Sequence, residues 1–88
     1  MVTQQDIIGA LRTVSPRHRQ ALYGRLVVEE GFVQVGERIG SKCHPDRPVS
    51  KSRARMVFGE ALNEVSKELG LKEENTKVVI RGFLGGYL

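Results

Sequence analysis

The chain has 88 residues, of which 40% are apolar and 27% charged, with a formal net charge of +4; this describes one small domain with a thin core, too apolar for disorder. Its longest aliphatic runs, Leu26-Val27-Val28 and Val78-Val79-Ile80, are far shorter than the ~20 residues of a membrane helix. With no export signal visible at the N-terminus, a cytoplasmic protein without a membrane partner is expected.

Thr3 before Gln4, Gln5 and Asp6 reads as a helix N-cap followed by acid in the first turn. Ile7, Ile8, Leu11 and Val14 then recur on one face. Ser15-Pro16 restarts a helix, serine as cap and proline at its first position, with Leu22 and Leu26 as its buried stripe and Gly31 as its end. Phe32, Val35 and Ile39 predict a short third helix that Gly40 stops. A β-hairpin over residues 26–35 is the alternative, because that stretch is rich in β-branched side chains. Residues 41–48, with Pro45 and Pro48, are irregular. Ser50 caps the longest helix, which runs to about Leu69 before Gly70. Its apolar stripe is Val57, Ala61, Leu62, Val65 and Leu69, broadened by Met56 and Phe58. Thr76 to Arg81 reads as a strand. The expected fold is mainly α, a single domain of about four helices with a short C-terminal β-strand.

Within the third helix, Phe32, Val35 and Ile39 take the apolar positions, Gly36 the position where the partner helix approaches and a very small residue is needed, and Gly40 the turn. This pattern resembles the helix-turn-helix of region 4 of bacterial sigma factors. Ser15-Pro16-Arg17-His18-Arg19-Gln20-Ala21-Leu22 is similar to the opening of that region, and Val49 to Arg55 is similar to the start of its recognition helix. Small repressors of the KorA and PapB kind share the layout. The resemblance spans about residues 10–69 and departs in one place, where Ser41 to Pro48 lengthen the connection between the two helices. It implies a helix-turn-helix domain that binds double-stranded DNA as a transcription regulator, a repressor or accessory factor.

The charge distribution agrees. Arg38, Lys42, Arg47, Lys51, Arg53 and Arg55 face only Asp46 within residues 38–55, and residues 11–25 carry four arginines and no acid. An asymmetric basic surface concentrates polyanions near it. The candidate DNA-binding residues are Arg17, Arg19, Lys42, Arg47, Ser50, Lys51, Ser52, Arg53 and Arg55. A lone reading helix seldom suffices, so a homodimer is expected. The tail over residues 76–88 is its candidate pairing strand, since an unpaired strand edge needs a cover.

A second resemblance points elsewhere. His44-Pro45-Asp46 is similar to the functional loop of J domains and implies a co-chaperone that stimulates a heat-shock chaperone ATPase. Enzyme chemistry has little support: the two histidines have no spaced carboxylate or cysteine set, and Cys43 is the only cysteine, so no internal disulfide can form. No cofactor is expected.

Overall fold

The computed structural model describes residues 2–40 and 47–85. They form five helices: α1 (Gln4–Thr13), α2 (Pro16–Leu26), α3 (Phe32–Ile39), α4 (Lys51–Leu69) and α5 (Glu73–Gly85). The cap residues act as read. Thr3 Oγ1 accepts the Asp6 N–H at 3.2 Å while the Asp6 carboxylate accepts the Thr3 N–H at 2.9 Å, a reciprocal capping box. The Thr3 backbone N–H, and after it the Thr3 hydroxyl, hold the Asp6 carboxyl below its usual range by hydrogen bonding to it. Ser15 and Ser50 accept from the N–H groups of His18 and Arg53, each at 3.2 Å, and Gly70 closes α4 in a left-handed C-cap.

The longest helix, α4, is the centre of the core. It buries Ala54, Val57, Phe58, Ala61, Leu62 and Val65 along one stripe. Helices α2 and α3 pack on it and on each other, and α1 and α5 lie against its remaining sides. Leu22 from α2 and Ile80 from α5 are wholly enclosed, and each contributes about 1.5–3 kcal/mol by leaving water.

The expected C-terminal strand is a helix, the largest correction to the sequence reading. Among the described residues there is no strand, so the segment has no partner for a ladder. As α5 it satisfies its own backbone instead. Burial has helical period: Thr76 and Ile80 are enclosed and Val79, Phe83 and Leu84 partly so, while Val78 is 68% exposed. Glu73 and Glu74 occupy the first turn, where the helix dipole favours acid. A buried bond from Ser66 Oγ to Thr76 Oγ1 at 2.7 Å fastens α5 to α4. The pairing strand proposed for a dimer therefore does not exist over residues 76–85.

Three smaller corrections concern residues 26–35 and 56. The hairpin alternative is not formed. Helix α2 ends at Leu26, not at Gly31, which is instead the N-cap of α3; the left-handed residue between them is Glu29, at φ 63°. Met56 is 55% exposed and does not broaden the apolar stripe, because 100° per residue carries it to the opposite side of α4 from Ala54 and Val65.

Candidate nucleic-acid interface

Gly36 and Gly40 build the junction that delivers the chain into α4. The Gly36 carbonyl accepts the N–H of Gly40 at 3.1 Å and of Val49 at 3.2 Å. A Cβ on residue 36 would collide with the Val49 carbonyl. The small residue is thus required, but what approaches it is Val49 in the irregular lead into α4 and not the partner helix that the pattern suggested. Gly40 has φ 64° and ψ 172°, a conformation that only glycine adopts without strain.

Apart from Arg12, which is exposed on α1 and has no side-chain partner among the described residues, the arginines divide into two groups. Five are held by the fold. Arg17 donates to the Gly40 carbonyl from Nε and Nη2 at 3.3 and 3.1 Å, tying α2 to the end of α3. Arg19 donates to the carbonyls of Leu11 and Val14 at 3.1 and 3.3 Å and so closes α1. Arg25 donates to the Glu30 carbonyl at 2.9 Å with its guanidinium 4.5 Å from the centre of the Phe32 ring. Arg81 reaches the Leu26 carbonyl at 3.1 Å. Arg38 grips the Glu30 carboxylate with two bonds of 2.8 and 2.9 Å and lies over Tyr23. The hydrogen bonds, and after them the opposite charges, hold the Glu30 carboxyl below the ordinary glutamate value and raise the pKa of Arg38. Gly24 gives this pair room against α2, where a Cβ would meet both partners.

The second group is gathered at the start of α4. Arg47, Lys51, Arg53 and Arg55 are exposed, and none of their side chains has a hydrogen-bond or ion-pair partner among the described residues. Ser50 and Ser52 are exposed beside them. The Ser50 hydroxyl oxygen accepts from Arg53 N–H and still has its own proton to donate. Lys42 and the His44-Pro45-Asp46 tripeptide lie outside the described residues. Of the nine candidates, the structure therefore brings six together around the N-terminal turns of α4 and places Arg17 and Arg19 in structural bonds.

Comparison with known protein families, curated proteins and solved structures finds no match. The site stands on its own geometry.

Arg53 and Arg55 are separated by roughly 160° around the helix axis at 100° per residue, so they flank α4 on opposite sides with Ser52 and Met56 between them. The two flanks differ further along. Beyond Arg53 lie Glu60 and Glu64, whose carboxylates are 3.4 and 3.8 Å from the His18 ring nitrogens. On that side acids follow the first-turn cation, and the next basic residue of α4 is Lys67 in its last turn. On the Arg55 side a cleft opens between α2, α4 and α5. Its residues Gly59 and Lys77 were not singled out by sequence; the available signal was an exposed glycine in the middle of a long amphipathic helix. Among the described residues no group of three His, Cys, Asp or Glu side chains could hold a metal ion, and no helix is long and apolar enough to cross a membrane.

Proposed function

We propose that this chain is a sequence-specific DNA-binding regulator of transcription, a cytoplasmic repressor or accessory factor. In this reading α3 and α4 form a variant helix-turn-helix, and the N-terminal turns of α4 enter the major groove. The observation that carries it is the grouping of the cations: apart from the exposed Arg12 of α1, the arginines elsewhere are tied to carbonyls or a carboxylate, whereas Arg47, Lys51, Arg53 and Arg55 cluster at one exposed helix end with no side-chain partner among the described residues. Unpaired cations at a helix N-terminus add to the positive end of its dipole and favour phosphate. Arg53 and Arg55 have the reach and the paired donors to read guanine, while Arg47, Lys51, Ser50 and Ser52 position the duplex by its phosphates.

A homodimer reading two half-sites about 34 Å apart completes the proposal, joined through a surface other than a tail strand. The test is gel retention of sheared genomic DNA under salt titration, with sequencing of the retained fragments. Arg53→Ala or Arg55→Ala costs about 1–3 kcal/mol on preferred sequences and relaxes sequence choice. A wild-type protein that retains no DNA at about 50 mM salt, where phosphate contacts are strong, overturns the reading.

A further inference from the structure

The cleft beside Arg55 has a volume of about 570 Å³ and is lined on its polar side by four cations: Arg25 of α2, Arg55 of α4, and Lys77 and Arg81 of α5. Glu29 and Glu73 are the two acids on its wall, so positive charge prevails. The four cations are not equivalent. Arg25 and Arg81 are fixed by the carbonyls of Glu30 and Leu26, whereas Arg55 and Lys77 are exposed and have no partner among the described residues. Gly59 lies on the same wall, and nothing stands within 4 Å of where its Cβ would be. Neither packing nor backbone conformation in this chain requires glycine there, so the residue leaves the α4 backbone open from the cleft.

We infer that this cleft is a phosphate-binding track occupied by the backbone of the DNA strand that runs along the Arg55 side of α4; the inference rests on the DNA-binding reading above. Arg55 belongs both to the proposed interface and to the cleft, so a strand leaving the first turns of α4 on that side passes directly over Gly59 toward Lys77. The donors come from three separate helices, α2, α4 and α5. Such an arrangement suits a ribbon of spaced charges and not a caged compact anion, which calls for convergent donors around one point. The Arg53 side, where Glu60 and Glu64 follow, repels a backbone over the same distance. The strand on that side leaves the protein after the first turns, and the two DNA strands are held unequally.

The test uses the full chain and its retained DNA. Lys77→Ala weakens retention of all sequences alike and lowers the slope of log affinity against log salt by about one, as for one lost phosphate contact. Lys67→Ala, with the same charge change outside the cleft, leaves the slope in place. Glu73→Gln moves affinity the opposite way and tightens binding, a sign that damage to the fold would not produce. An unchanged slope in Lys77→Ala, with the wild type still binding DNA, overturns this inference and leaves the DNA reading standing. A wild type without DNA retention removes both. Inorganic phosphate that displaces DNA better than chloride at equal ionic strength also overturns the inference, because it marks a site for a free anion.

Discussion

Helices α2 and α3 and the leading end of α4 are both rich in arginine, yet they use it in opposite ways. In α2 and α3, Arg17, Arg19, Arg25 and Arg38 close helix ends, bridge a turn or grip a carboxylate. At α4, the guanidinium groups of Arg53 and Arg55 touch no hydrogen-bond partner among the described residues. Identical side chains therefore serve as mortar in one region and as open contacts in the other. Net charge counts both alike, and only the location of unsatisfied carbonyls separates them.

The largest expected effect attacks the junction that joins the two regions. Gly36→Val forces a side chain against the Val49 carbonyl and loosens the bond from Val49 N–H. It should destabilise the domain by about 3 kcal/mol, at the upper end for forced overpacking, read as a shift in denaturant midpoint. Next come the tied arginines. Arg17→Ala strips the Gly40 carbonyl of a charged donor and should cost about 1.5–3 kcal/mol of stability, whereas Arg53→Ala should change stability by no more than about 0.5 kcal/mol. Equal losses in the two variants, measured by chemical denaturation, would erase the distinction between the regions.

The smallest effect concerns Glu30 and pH. Its carboxyl is held low by Arg38 in the folded protein, so the pair's contribution is fully present above the ordinary glutamate range and is lost as pH falls through the lowered value. Both side chains keep some solvent contact, at 28% and 18% exposure, which screens the pair. Glu30→Gln should therefore flatten the acid limb of a stability–pH profile while leaving the neutral plateau only slightly lower.

Much of the scaffold was legible because local chemistry and packing agree there. Thr3, Ser15 and Ser50 are caps with hydroxyls aimed at helix N–H groups, and Phe32 to Ile39 ends at Gly40, a glycine that the backbone requires. The tail was misread because they disagree. Val78-Val79-Ile80 has β propensity, but the apolar side that α4 leaves uncovered selects Thr76 and Ile80 at helical spacing, and that surface is not visible in the tail itself. The site was legible at α4, where the basic run follows its cap. Arg17 and Arg19 looked the same in sequence; their acceptors are the carbonyls at the ends of other helices, set by tertiary folding alone. Lys77 was hidden by the same error that made α5 a strand.

The buried hydroxyl pair Ser66–Thr76 sets the register of α5. An apolar helix face can slip by a turn along its neighbour at modest loss, since one aliphatic contact replaces another. Here a slip of about 5.4 Å would take away the acceptor of the enclosed Ser66 hydroxyl, at a cost of about 1–3 kcal/mol. Thr76 Oγ1 also lies 3.1 Å from the Lys72 carbonyl, so the pin reaches back to the base of the helix it locates. Helix α5 is consequently a part with one seating: it is docked in place or it is off, and sliding gives no intermediate position for Lys77.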